Sequence, residues 1–299
     1  MRLIKWLIVF SVFVALALVG FLYAAPETAT KYAIDMRRAQ AGLERKEITT
    51  EAGDRFVYLE GGQGEPLLLL HGFGANKDNF TVIAKHLVKH YHVIAPDLIG
   101  FGESDHPQGA NYSAIPQARR IRALVDALDL PVRHIGGSSM GGHISMTYAA
   151  LYPAEVDSMW LIDPGGVWSA PAGELRQMIE ETGVNPLIAS NEEEFARVFE
   201  FVMSKPPFVP RPILNVMAQE RIANIELEKI IFSQISQDSV EERINGLTTA
   251  ALIVWGDEDR AIHVDTVDVL TDLLPNSEAI IMKGIGHLPM LEAPAQSAE

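Results

Sequence analysis

The chain has 299 residues, of which 48% are hydrophobic, and this is enough for a large buried core. Its net charge of -15 argues against a nucleic-acid-binding surface, because phosphate contacts need clustered Lys and Arg side chains. The absence of cysteine excludes disulfides, thiolate zinc sites and a cysteine nucleophile.

The N-terminal residues form an apolar leader. Arg2 and Lys5 are followed by 20 uncharged residues from Trp6 to Ala25. A helix of this length crosses a bilayer core of about 30 Å, whereas cleaved signal peptides usually have apolar regions of about 7–15 residues. The residues before Pro26 also make a poor cleavage site. We therefore predict a signal-anchor over residues 1–25, with a cleaved signal peptide as the alternative, and a body on the periplasmic side.

Residues 26–45 mix charged and apolar positions and predict a linker. It is either a short helix at the membrane surface or a solvated spacer. The body then occupies residues 46–299.

The body alternates between apolar runs and segments of helical periodicity. The run PLLLLHG (66–72) is continuously apolar, as in strands that are buried on both faces. The other predicted strands are a hairpin ending at 56–62 and the segments 91–97, 132–138, 158–164, 251–257 and 278–284, and the predicted helices are 77–90, 115–130, 140–153 and 264–275. This alternation predicts an α/β fold with a mostly parallel sheet and helices on both faces.

The alternation stops between Gly166 and Thr248, where three segments have helical periodicity, namely 172–183, 192–203 and 220–235. We predict a helical cap at about 167–248, inserted between two strands of the sheet.

A G-x-S-x-G pattern lies between a predicted strand and a predicted helix, as Gly137-Ser138-Ser139-Met140-Gly141. In such a turn the central serine has a strained backbone, and the flanking glycines remove side chains that would clash. Ser139 is therefore the candidate nucleophile, and Ser138 is an ordinary neighbour. The alternative is a glycine-rich packing turn.

A serine nucleophile needs a general base, and nine histidines compete for this role. His287 follows the last predicted strand, which places it at the carboxyl edge of the sheet. His71 precedes the glycines of HGFG and is expected to support that loop. His134 and His143 lie within a strand and a helix and are expected to be packing residues.

A second group of histidines has a spacing found in zinc sites. His86 and His90 are four residues apart on a predicted helix, and His92 follows. A solvated helix face is the preferred interpretation, so we predict neither a metal nor a cofactor.

Three aspartates are candidates for the acid that orients the base. Asp257 and Asp259 follow a predicted strand in VWGDEDRAIH, and Asp163 follows an earlier strand in LIDPGG. The turn at Gly256 favours Asp259, because it lets the later residue point toward His287, but the residues alone leave Asp163 open.

Attack by a serine nucleophile on a carbonyl gives a tetrahedral intermediate, and its oxyanion needs preorganised donors. The backbone N–H of Met140 is one candidate, since it follows the nucleophile at the start of a helix. The N–H of Phe73, in HGFG, is the other.

Five motifs in order resemble the α/β-hydrolase superfamily, in particular membrane-anchored monoacylglycerol lipases and related bacterial lipases and esterases. They are HGFGANKDNF (71–80), PDLIGFGESD (96–105), GGSSMGG (136–142), VWGDEDRAIH (254–263) and GIGHLPMLEAP (284–294). The resemblance covers about residues 46–299. It implies Ser139 as nucleophile, Asp259 as acid, His287 as base, and the N–H groups of Phe73 and Met140 as oxyanion donors.

The resemblance implies an enzyme that cleaves carboxylic esters of lipids, such as acylglycerols, through an acyl-enzyme on Ser139. Seven apolar residues of the cap could line an acyl-chain site or merely pack the cap onto the body: Phe195, Phe199, Phe201, Met203, Phe208, Met217 and Phe232. The alternatives are a C–C bond hydrolase of the same fold and a catalytically silent receptor. The apolar leader argues against the first, and the complete set of catalytic residues against the second.

Overall fold

The computed structural model describes residues 2–299, and it begins with two consecutive helices. Helix α1 (Arg2–Ala24) contains a stretch, Ile4–Ala24, with a mean hydropathy of 2.7 and no buried part, so it is long and apolar enough to cross a membrane. A signal sequence stays the alternative, because an apolar helix near the N-terminus fits one as well. Helix α2 (Pro26–Ala41) begins at a proline and ends at Gly42, whose φ of 70° terminates the helix. Residues 26–41 of the predicted linker are therefore helical, and its last two residues, 44 and 45, belong to the first strand.

The centre of the body is an eight-stranded sheet. The strands are β1 (Glu44–Thr49), β2 (Arg55–Gly61), β3 (Glu65–Leu70), β4 (Tyr91–Pro96), β5 (His134–Ser138), β6 (Ser158–Ile162), β7 (Ala250–Gly256) and β8 (Ser277–Met282). They lie side by side in the order β1-β2-β4-β3-β5-β6-β7-β8. The first two strands pair antiparallel, β2 also runs antiparallel to β4, and all the remaining pairs are parallel. This topology confirms the predicted α/β fold.

Helices connect the parallel strands and cover both faces of the sheet. They are a 3-10 turn (Lys77–Phe80) continued by α3 (Thr81–Leu87), then α4 (Ala114–Leu128), α5 (Met140–Leu151) and α11 (Thr266–Leu273), followed after β8 by the short α12 (Pro289–Glu292) and α13 (Pro294–Ser297). Strand β3 shows why its sequence is continuously apolar. Leu68 and Leu70 belong to the core on one face, and Leu67 and Leu69 to the core on the other.

The segment between β6 and β7 forms five helices, α6 (Glu174–Thr182), α7 (Glu192–Val202), α8 (Arg211–Ala223), α9 (Ile225–Ser236) and α10 (Glu241–Ile244). The predicted helical segment 220–235 is divided between α8 and α9. Asn224, with φ -103° and ψ 14°, leaves the helical conformation, so the chain bends between the two helices. The cap has a hydrophobic cluster of its own, which includes Phe195, Phe201 and Met203.

Candidate active site

Ser139 occupies a sharp turn between the end of β5 and the start of α5. Its φ of 54° and ψ of -117° are outside the regions that non-glycine residues favour. A Cβ added at Gly137 would lie 2.3 Å from the backbone of Gly141, and one added at Gly141 would lie 2.0 Å from the carbonyl oxygen of Leu70. Only glycine fits at either position, which explains the spacing of the G-x-S-x-G pattern.

Neighbouring backbone groups hold this strained turn in place. The Ser139 N–H donates to the carbonyl of Ile162, at the end of β6, over 3.0 Å. The Ser139 carbonyl accepts from the N–H groups of His143 (3.1 Å) and Gly165 (2.9 Å). The strain is therefore balanced by hydrogen bonds to β6, to the loop after it and to the first turn of α5.

His287 and Asp259 form a buried hydrogen-bonded pair. Nδ1 of His287 lies 2.7 Å from Oδ2 of Asp259, and the two side chains are 5% and 0% exposed. The other oxygen, Oδ1, accepts from the N–H groups of Ala261 (2.7 Å) and Ile262 (3.0 Å). Because the carboxylate only accepts, the proton of a neutral imidazole is placed on Nδ1, and Nε2 is left to act as a base.

The other two candidate acids are placed differently. The Asp257 carboxylate accepts from the N–H of Gly284 over 2.6 Å, so it holds the loop after β8. Asp163 is fully buried close to Asp259, and its Oδ1 accepts from the N–H of Gly256 over 2.9 Å. The structure thus pairs His287 with Asp259 and places Asp163 behind that pair.

The HGFG loop lies against the serine. A Cβ added at Gly72 would be 3.3 Å from Cβ of Ser139. Within residues 2–299, no hydrogen bond uses the backbone N–H of Phe73 or of Met140. These two N–H groups can therefore serve a developing oxyanion.

His71 supports this loop, as expected from the sequence. Its ring is fully buried, and Nε2 accepts from the N–H of Leu98 over 3.0 Å, so Nδ1 carries the proton and donates to the carbonyl of Gly72 over 2.8 Å. Burial lowers the pKa of His71 below its ordinary value. His71 is thus a neutral side chain that fixes the carbonyl just before Phe73.

A buried lysine with two acidic partners lies behind the same loop and was not predicted from the sequence. Lys77 is 2% exposed, and its Nζ lies 2.7 Å from Asp97 and 2.8 Å from Glu103. Burial raises the pKa of Glu103, but hydrogen bonds from Arg45 and Lys77 outweigh it and lower the pKa to about 2. Lys77 lies in HGFGANKDNF and both acids lie in PDLIGFGESD, so opposite charges in these two motifs were the available signal.

The cap closes over the site and is tied to the loop of the base. The N–H of His287 donates to the carbonyl of Val202, at the end of α7, over 2.8 Å. The ring of Phe232 in α9 packs edge-on against Phe73 with centroids 5.2 Å apart.

The apolar residues of the cap divide into three groups. Phe195, Phe201 and Met203 are buried in its own cluster, and Phe199 and Phe232 pack on that cluster. Phe208 and Met217 are exposed, Phe208 to 89%, so they line no enclosed site in this structure.

Three of the remaining histidines have clear side-chain partners. His143 accepts from Arg243 over 3.2 Å, His92 lies 2.7 Å from Glu60, and His134 contacts Glu65. Within residues 2–299, the one cluster of at least three possible metal-ligand side chains consists of Asp163, Asp259 and His287.

Known proteins resemble this chain over most of its length. The family model described as alpha/beta hydrolase fold matches residues 65–294. "Lipase 1" of Psychrobacter immobilis is 44% identical over 97% of this chain and 94% of its own length. The mouse (Mus musculus) protein "Monoacylglycerol lipase ABHD6" is 29% identical over 80% of this chain and 74% of its own length.

A solved structure extends the likeness to the N-terminal helices. The crystal structure of a membrane phospholipase A, described as a bacterial virulence factor, superposes with a TM-score of 0.89 at 36% identity, over 100% of this chain and 96% of that chain. From the family match and the 44% identity to a lipase, we conclude that the chain belongs to the α/β-hydrolase family.

Proposed function

We propose that the protein is a carboxylic ester hydrolase that cleaves lipid esters, monoacylglycerols or other acylglycerols, through an acyl-enzyme on Ser139. The observation that carries the proposal is the strained Ser139 turn at the same edge of the sheet as the buried His287–Asp259 pair. The names of the relatives, a lipase and a monoacylglycerol lipase, support an ester of this class.

In the proposed reaction, Oγ of Ser139 attacks the ester carbonyl while Nε2 of His287 takes the hydroxyl proton. Asp259 stabilises the imidazolium, and the N–H groups of Phe73 and Met140 bind the oxyanion. Collapse of the intermediate releases the alcohol, which receives the proton from His287. Water, deprotonated by His287, then attacks the acyl-enzyme, and the fatty acid leaves as His287 returns the proton to Oγ of Ser139.

Two features support a lipid as the source of the ester. Apolar side chains of the cap and the body meet beside the site, among them Phe73, Phe232, Ile262 and Leu288. Helix α1 offers a membrane anchor, and we infer that it holds the body on the periplasmic side, or that the body is secreted if the leader is cleaved.

We divide the chain into residues 1–25 as leader, 26–45 as linker and 46–299 as hydrolase domain, with the cap at about 167–248.

The first test is hydrolysis of p-nitrophenyl esters of graded chain length and of a monoacylglycerol by the full chain in detergent. We expect activity with medium or long acyl chains, and we expect Ser139→Ala to lower kcat by about 10³-fold or more. Ser138→Ala is the matched control, because Oγ of Ser138 is buried and makes no hydrogen bond within residues 2–299. This variant should keep its activity.

The outcome that contradicts the proposal is a folded protein that hydrolyses no ester at any chain length. Cleavage of a C–C bond in a ring-cleavage product would then favour the C–C bond hydrolase. Inactivity on esters and on that substrate would favour a silent receptor. Equal loss in Ser138→Ala and Ser139→Ala would contradict the choice of Ser139.

A further inference from the structure

Asp163 is an ionisable side chain of the site that the proposed triad does not use. It is fully buried, and while Oδ1 accepts from the N–H of Gly256 over 2.9 Å, Oδ2 accepts no hydrogen bond from any donor in the described part of the chain. One polar atom from each of Asp163, Asp259 and His287 lies within 4.8 Å of the other two. A buried polar oxygen in such a cluster needs an explanation.

The backbone of Asp163 is held in place for this arrangement. Its φ of 44° is in the left-handed region, which Asp tolerates only at some cost in free energy. Its N–H donates to the carbonyl of Val254 in β7 over 2.9 Å. Asp163 thereby lies beneath the turn after β7, and that turn also carries Asp259.

Two adjacent buried carboxyl groups are not both ionised, because like charges repel strongly away from water. Asp259 accepts from two backbone N–H groups and from His287, so it carries the charge. Asp163 accepts one N–H, and Glu292 of α12 adds a further negative charge nearby. Burial and the charge of Asp259 raise the pKa of Asp163 well above its ordinary value. Of the two carboxyl groups, Asp163 is therefore the one that keeps its proton.

We propose that Asp163 is a positioning residue, whose neutral carboxyl group donates a hydrogen bond from Oδ2 to the Asp259 carboxylate and holds that carboxylate toward His287. The inference rests on the proposed function, since it assigns Asp259 and His287 their catalytic roles. The proton stays on Asp163 throughout the cycle. A neutral donor steadies Asp259 without adding a second negative charge beside the base.

The test compares Asp163→Asn with Asp163→Ala in the detergent-solubilised full chain. Asparagine has the shape of the neutral acid, and its amide can both donate to Asp259 and accept from Gly256. We expect kcat of Asp163→Asn to stay within about twofold of the wild type, with the acid limb of its pH–rate profile within about 0.3 pH unit. Asp163→Ala should lower kcat about tenfold at unchanged KM, since it removes the donor.

An ionised Asp163 would give a different result. Asp163→Asn would then remove a negative charge beside His287, and the acid limb would move to lower pH by about one unit or more. That shift would overturn the proposal, and so would equal kcat values for the wild type and Asp163→Ala. A change in the pH–rate profile of the wild type on addition of EDTA would also overturn it, because a cation would then occupy the cluster.

Infrared spectroscopy shows whether Asp163 is protonated, even if Asp163→Ala fails to fold. The infrared difference spectrum of wild type minus Asp163→Asn should contain the carbonyl stretch of a protonated carboxyl group, and its absence would overturn the proposal. His287→Gln, assayed in parallel, separates the two levels of inference. If His287→Gln keeps its esterase activity, the proposed function fails. If His287→Gln loses its activity but Asp163 is ionised, only the inference about Asp163 fails.

Discussion

At the scale of single residues, the conformation of Ser139 depends on the absence of side chains around it. A Cβ at Gly141 would lie 2.0 Å from the carbonyl oxygen of Leu70. This oxygen belongs to the backbone at the end of β3, so it cannot turn aside as a flexible side chain could. We expect Gly141→Ala to lower the free energy of unfolding by about 3 kcal/mol or more, through overpacking. Urea unfolding of the solubilised protein measures this.

Gly165→Ala is the control for that prediction. Its added Cβ would meet its nearest neighbours at 3.6–3.8 Å, which is ordinary contact, so its stability should change little. Equal stability of the Gly141 and Gly165 variants would show that the turn can relax.

His143 makes stability depend on pH. Burial lowers its pKa to about 4, and the neighbouring Arg243 contributes in the same direction, while Asp238 opposes it. The unfolded chain therefore binds a proton near pH 6.5 that the folded protein does not bind until about pH 4. We expect the free energy of unfolding to fall by about 2 kcal/mol between pH 7 and pH 5, because the unfolded chain binds the proton first.

His143→Gln should flatten that dependence, because glutamine keeps an acceptor for Arg243 and does not titrate. The measurement is urea unfolding of both proteins at pH 7 and pH 5. A variant that loses as much stability as the wild type over this range would rule out His143 as the source.

The sequence predicted these residues unequally well. Ser139 and His287 were identifiable because each follows a predicted strand, and the carboxyl ends of parallel strands meet at one edge of the sheet. Asp163 and Asp259 could not be separated on that basis, since both follow strands. Their separation depends on which side chain reaches Nδ1 of His287, and this is set by the turn after β7.

At the scale of elements, the cap depends on a buried ion pair. Arg221 in α8 donates to both oxygens of Glu228 in α9 at 2.7 and 2.8 Å, and to the carbonyl of Leu187 at 2.6 Å. Helical periodicity predicted these helices but not their connection, because a charge in an amphipathic pattern is normally expected to face solvent.

Arg221→Met should destabilise the protein by about 3–5 kcal/mol, because it leaves the carboxylate of Glu228 buried and unpaired. Arg221→Met with Glu228→Leu should recover most of that loss, since it removes both charges at once. Thermal unfolding of the single and double variants tests this. A double variant as unstable as the single one would mean that the hydrogen bond to Leu187, and not the ion pair, holds α8 in place.

At the scale of the whole molecule, the two N-terminal helices differ in their relation to the body. Helix α1 touches the cap helix α8, but none of its apolar stretch is buried, whereas α2 packs against both α3 and α8. Arg38 of α2 makes a bidentate pair with Asp78, at 2.7 and 2.6 Å, and Ala29 and Ala41 are buried. The sequence left α2 open as helix or spacer, because its apolar residues are too few to show which surface would bury them.

This difference predicts where the chain can be shortened. Removal of residues 2–25 should give a protein that needs no detergent and keeps its Tm within about 2 °C and its activity on a soluble ester, because no residue in the apolar stretch of α1 is buried. Removal of residues 2–42 should lower the Tm by about 5 °C or more, since it also removes the buried face of α2 and the partner of Asp78. Equal Tm values for the two shortened proteins would mean that α2 belongs with the leader and contributes nothing to the body.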